Sequence, residues 1–136
     1  MIDRFKFRAK RIDNNKFIYG YLCFIYIDNE KHCRIYSPDD VRSYDCYTET
    51  LGQCTGLKDK NYKLIYEGDI LGGIFGNLYV HYCDNCKQFQ LKENAYGCMA
   101  CDGDIYWYEL VESEDKNELE VIGNIHENAD LLENEE

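Results

Sequence analysis

Apolar and polar residues alternate with a period of two along most of this chain, and that period predicts strands. In RFKFRAK the basic residues Arg4, Lys6, Arg8 and Lys10 alternate with Phe5, Phe7 and Ala9, which predicts a strand with one basic and one apolar face. Phe17 to Ile27 is aromatic and β-branched enough for a long second strand. Asp28-Asn29-Glu30 turns the chain toward CRIYS, and Pro38 belongs to a loop or the start of a short helical turn. Lys58 to Asn61 marks a turn between two extended pieces, and Gly68-Asp69 breaks the next one. Gly72, Gly73 and Gly76 weaken any helix and lead into LYVHY. DIYWYELVE alternates again, LEVIGNI is a last strand, and ENADLLENEE is expected to form one or two helical turns capped by Asn128. Short strands punctuated by Gly, Asn and Asp predict a mainly β protein with a small barrel.

Composition sharpens this. With 45% hydrophobic residues, thirteen Tyr and six Phe, the chain is too apolar for disorder. Its 136 residues suit one compact unit or two small subdomains, 1–54 and 55–136. No apolar run approaches the roughly 20 residues of a membrane span, and the N-terminal stretch has no apolar signal region. A cytoplasmic location is the expectation. The net charge of −11 is uneven: residues 93–136 hold one basic residue, Lys116, against fourteen acidic ones. A field of that sign repels nucleic acid and favours basic protein surfaces, although a charge run is often only a solvated face.

The densest chemistry lies in CDNCKQFQLKENAYGCMACDG. Two Cys-x-x-Cys pairs, Cys83 with Cys86 and Cys98 with Cys101, stand eleven residues apart. In a reducing compartment such pairs bind metal rather than form disulfides. Each pair places two thiolates on one side of an ion, and a hairpin between them completes a tetrahedral Cys₄ zinc site. A redox centre needs only one pair; an iron site or unligated thiols remain as alternatives. His81 is a substitute ligand of lower rank. A closed Cys₄ set leaves no position for water, so the expected zinc is structural and no enzymatic activity is expected. Cys23, Cys33, Cys46 and Cys54 have no ligand-like spacing and are expected to be buried thiols; a second site using His32 and Cys33 ranks well below that. Glu67 and Asp69 read as turn or solvated groups, not as an acid–base pair.

Three stretches together resemble the YopX family of phage and prophage proteins: KFRAK (6–10), TGLKDKNYKLIYEGDIL (55–71) and EVIGNIHENADLLE (120–133). Tyr62 stands where that family usually has Gly. The cysteine pairs resemble a subset of its members. The resemblance implies a β-rich fold with an SH3-like C-terminal part, here 55–136 with a zinc-ribbon-like hairpin at 83–103, and mobile genetic elements as carriers. It implies no activity and supplies no site residues.

Two binding functions follow. In the first, the acidic face blocks the nucleic-acid-binding surface of a host defence nuclease, in the manner of anti-CRISPR or anti-restriction proteins. The partner would be a host protein with a basic surface, such as a nucleic-acid-guided nuclease of the Cas9 type. The contact residues expected are Glu109, Glu112, Glu114 and Asp115, with Tyr106 and Tyr108 as anchors. In the second, a zinc ribbon binds nucleic acid in phage replication or transcription through the basic face of Arg4, Lys6, Arg8, Lys10 and Arg11.

Overall fold

The protein is described from a computed structural model, in which residues 3–73, 76–84, 88–92 and 119–132 are described. The chain is mainly β and divides into two compact units, Met1–Cys54 and Thr55–Glu136.

The first unit is an antiparallel sheet of β1 (Phe7–Lys10), β2 (Phe17–Ile27), β3 (Glu30–Ser37), β4 (Arg42–Asp45) and the start of β5 (Gly52–Lys58), in the order β4-β3-β2-β1-β5. The long pair is β2 with β3, running in register from Tyr21↔Tyr36 to Ile27↔Glu30. Asp28 and Asn29 close it with φ of 52° and 68°. Two successive positive φ values define the type I′ turn that matches strand twist, and Asp and Asn tolerate them best. Gly20 lies inside β2 because a Cβ there would stand 1.9 Å from the Tyr36 carbonyl oxygen. Ala9, Cys33, Ile35 and Cys46 form the core, with Phe7, Ile18, Leu22 and Leu51 packed against them.

The expected basic face of the first strand is not what forms. Asp3–Phe5 is a 3-10 turn and Phe5 is 62% exposed, so the strand begins only at Phe7. Pairing with both β2 and β5 makes β1 an inner strand. Arg8 is accordingly 4% exposed, its guanidinium carbon 4.9 Å from the centre of the Phe17 ring. Period-two reading found the strand but assigned its polar side to water, because alternation does not reveal whether a strand is inner or edge.

The second unit holds the rest of β5 beside β6 (Leu64–Tyr66), and a four-stranded antiparallel sheet. That sheet comprises β7 (Asp69–Gly72), β8 (Leu78–Cys83), β9 (Gln88–Lys92) and β10 (Glu120–Asn124), in the order β10-β7-β8-β9. Ile65, Leu71, Leu78, Val80, Leu91 and Leu119 form its core. Burying a branched aliphatic side chain contributes roughly 1.5–3 kcal/mol. Beyond β10 the described residues form a 3-10 turn, Ala129–Leu132, where one or two helical turns are expected. Asn128 does not cap it with its side chain; its Oδ1 accepts from the Asn124 amide 3.1 Å away instead. The strand end captures the carboxamide that the helix would have used.

Candidate metal centre and partner surface

The cysteine hairpin is built by β8 and β9, whose register runs from Tyr79↔Lys92 to Cys83↔Gln88. The chain therefore reverses between Cys83 and Gln88. β8 lies between β7 and β9, so its apolar residues Leu78 and Val80 are buried, and Val80 pairs with Leu91 in the core. On the hairpin, Tyr82 packs edge-on against Phe89 at 5.3 Å. Cys83 ends the strand at 2% exposure. A rigid strand end that delivers a buried thiol into a reversal suits a structural thiolate site, where two sulfurs must face one ion. His81 packs edge-on to Tyr79, 6.3 Å between centres.

Cys86, Cys98 and Cys101 lie outside the described residues, as do Tyr106, Trp107, Tyr108, Glu109, Glu112, Glu114 and Asp115. Among the described residues no group of three or more His, Cys, Asp or Glu is placed to hold a metal, and only one of the four expected zinc ligands is among them. The donor set is nonetheless one that zinc takes: Cys83 can supply thiolate, and the remaining three ligands are thiols by sequence.

The thiols of the first unit divide. Cys33, Cys46 and Cys54 are buried as expected, but Cys23 is exposed, because it faces the side of the sheet opposite to Leu22 and the core. Burial, then the neighbouring Cys33, push the Cys46 thiol up to about 11, and it donates to the Tyr44 carbonyl at 3.4 Å. Burial raises Cys33 as well. A cavity of about 230 Å³ is lined by Lys31, His32, Cys33, Asp45, Cys46 and Thr48, among others. Its His32 Nδ1 lies 3.5 Å from Asp45 Oδ1, which also accepts from Arg34 Nη1 at 2.8 Å. Protonated thiols beside an imidazole held by a shared carboxylate are weak nucleophiles. They suit packing better than attack.

Two of the three stretches carrying the family resemblance, 55–71 and 120–133, supply the joints of the second unit, while 6–10 forms β1 of the first. Asp59, 4% exposed, accepts from the amides of Asn61 and Lys63 through Oδ1, at 2.8 and 2.9 Å. Its Oδ2 accepts from the amide of Val121 on β10, at 2.9 Å. One carboxylate thus closes the turn after β5 and ties it to a strand 62 residues away. Lys60 reinforces the joint, its amide donating to Leu119 and its Nζ lying 3.7 Å from Glu120. Thr55 Oγ1 bonds the Ile65 carbonyl at 2.9 Å, and Asp69 Oδ2 accepts from the Tyr66 amide at 2.8 Å. Between them Gly68, at φ 94°, turns the chain so that its amide reaches Val80. Asn124 Oδ1 accepts from the amides of His126 and Glu127, and a Cβ on Gly123 would stand 2.6 Å from Asn128 Oδ1. Asp69 spends its carboxylate on the backbone, in the turn role read from the sequence.

Of the basic residues near the N-terminus, Lys6 lies 3.4 Å from Asp3, Arg8 is buried, and Arg11 is bidentate to Asp13 and stacks 3.8 Å over Tyr44. Sequence reading missed the Asp59–Val121 bond and the Gly20–Tyr36 approach. A glycine inside an aromatic, β-branched run was the available signal for the second. Nothing local pointed to the first.

Two antiparallel sheets with joints made from buried Asp, Thr and Asn define a mainly β protein of two units. The chain belongs to the YopX family, whose model, described as YopX protein, matches residues 6–133. The crystal structure of protein EF1440 from Enterococcus faecalis is similar, with 26% sequence identity and a TM-score of 0.52. The match covers 94% of this chain and 97% of that one. No curated protein matches the sequence. Among the described residues no helix is long and apolar enough to cross a membrane.

Proposed function

We propose that this is a non-enzymatic binding protein of phage or prophage origin, acting in the host cytoplasm. A structural Cys₄ zinc holds its acidic second unit in shape to occupy the nucleic-acid-binding surface of a host defence nuclease. The observation that supports the reading is the Cys83↔Gln88 pairing, which puts a buried Cys83 at the start of a chain reversal. Cys83, Cys86, Cys98 and Cys101 would hold the ion, which supplies rigidity rather than reactivity. The charge supports the partner class. The second unit carries six basic against eighteen acidic residues, a field that steers association with a basic surface. A nuclease that grips a nucleic-acid backbone, including the RNA-guided kind, presents such a surface. The nucleic-acid-binding alternative loses support from the burial of Arg8 and the ion pairs of Lys6 and Arg11.

Two measurements test this. Metal analysis of the purified protein should find one zinc per chain, lost in Cys86→Ser, with loss of amide protection in β8 and β9. Full thermal stability after verified metal removal would sink the clamp. Affinity capture from host lysate should retain a basic nucleic-acid-binding protein, released by salt and by Glu109, Glu112 and Glu114 reversed to Lys. Direct binding of DNA or RNA by the purified protein at low salt would overturn the partner class.

A further inference from the structure

The outer edge of β2 carries chemistry that neither the core nor the acidic segment uses. Pairing of β1 with β2 ends at Phe7↔Gly20, because residues 3–5 wind into a 3-10 turn. β2 continues seven residues further with only β3 beside it among the described residues. The two-residue turn makes Ile27↔Glu30 a hydrogen-bonded pair, so alternate pairs Ile25↔His32 and Cys23↔Arg34 also aim their amides at β3. The N–H and C=O of Phe24 and Tyr26 therefore point the other way, off the edge of the sheet.

Native sheets guard such edges with charge, proline, bulges or a covering element. This edge has none of the first three: Tyr21 to Ile27 contains no charged residue and no proline, and its register with β3 is unbroken. Its side chains are exposed instead: Tyr26 70%, Ile27 45%, Phe24 42% and Ile25 36%, with Cys23 exposed beside them.

We infer that a second copy of this chain covers the edge, the two β2 strands pairing antiparallel about a two-fold axis at Ile25. In that register Phe24 meets Tyr26 of the second copy in hydrogen-bonded pairs on both sides of the axis, using every outward amide and carbonyl of the two residues. The side chains match as well. Phe24 packs on Tyr26 of the second copy, Ile25 on its own equivalent, and Cys23 on Ile27, with no charge facing a like charge. Lys31 already lies over the Phe24 ring at 4.3 Å, on the same face of the ribbon. The first unit also permits the approach. It holds nine basic and eight acidic residues, so its own net charge does not oppose two copies meeting there. A two-fold strand pair buries the same patch on both chains and closes on itself, so this contact does not propagate.

Light scattering on the purified full chain should give twice the 16.1 kDa chain mass. Phe24→Pro, which removes an outward N–H, and Ile25→Lys, which sets two ammoniums together at the axis, should each halve that mass while keeping the β far-UV spectrum. In a Cys23→Ser background, Ile25→Cys should give a covalent dimer on mild oxidation by a small-molecule disulfide, whereas exposed Val41→Cys should not. A single-chain mass for the wild type overturns the inference, whether or not an extended peptide then binds the edge. So does a two-chain mass that survives both variants, or cross-linking as efficient through Val41→Cys.

Discussion

The two units solve the same problem, a small β core, with different materials. The first surrounds Ala9, Cys33, Ile35 and Cys46 with long strands, and its regular ladder of β2 with β3 runs seven pairs without interruption. The second packs larger aliphatic residues between shorter strands and joins them through buried Asp59, Asp69 and Thr55. A long ladder satisfies its own backbone, so the first unit needs few polar side chains inside. Short strands leave turn amides stranded near the core, where an unpaired donor costs more than a hydrogen bond gains. Buried carboxylates answer that need, and each becomes a point of failure.

Five substitutions or conditions separate these designs, from the largest effect down. Asp59→Ala should destabilise the second unit by about 3–4 kcal/mol, because three amides lose a charged acceptor together. Hydrogen exchange should show protection lost at Val121, Asn61 and Lys63 while β2 and β3 keep theirs; equal loss in both units would refute local anchoring. Gly20→Ala should cost the first unit about 2–3 kcal/mol, since the new Cβ meets the Tyr36 carbonyl rather than a movable side chain. Chemical denaturation of that variant against Gly72→Ala, where the nearest atoms are side chains, checks the cause.

Alkaline pH should weaken the first unit next. The Cys46 thiol is raised from 9.0 to about 11 on folding, so its contribution is intact below pH 9 and is lost as pH rises through about 11. The decline is on the order of 2 kcal/mol, and Cys46→Ala should flatten it in denaturation midpoints taken at pH 8, 9.5 and 11. The smallest effects are gains. Val41 in the first unit and Tyr62 in the second hold φ of 57° and 64°, and both side chains are exposed. Replacement by Gly should raise stability by up to about 1 kcal/mol, more for the β-branched Val41. Melting temperatures of the two variants measure it.

Tyr62 shows how far local sequence reaches. The resemblance leads one to expect Gly there, and the backbone holds a left-handed turn with a tyrosine in place, because Asp59 and the strand behind it determine the geometry. The long strand 17–27 was legible to the residue, since aromatic and β-branched runs leave little alternative. β4 and the 3-10 turn at Thr48–Thr50 were not, because RSYD and TET have no period of their own and are held by partners, β3 for the first and the Lys10 amide on Thr50 for the second.

From sequence alone came the β class, the family, the cysteine pairs and the charge asymmetry, all properties of composition and short-range pattern. Which strands are inner, that Arg8 is buried, that Asp59 reaches Val121, and that the far end of β2 has only β3 beside it among the described residues were decided only in three dimensions. Those facts depend on pairing between residues tens of positions apart, and local periodicity carries no information about who the partner is.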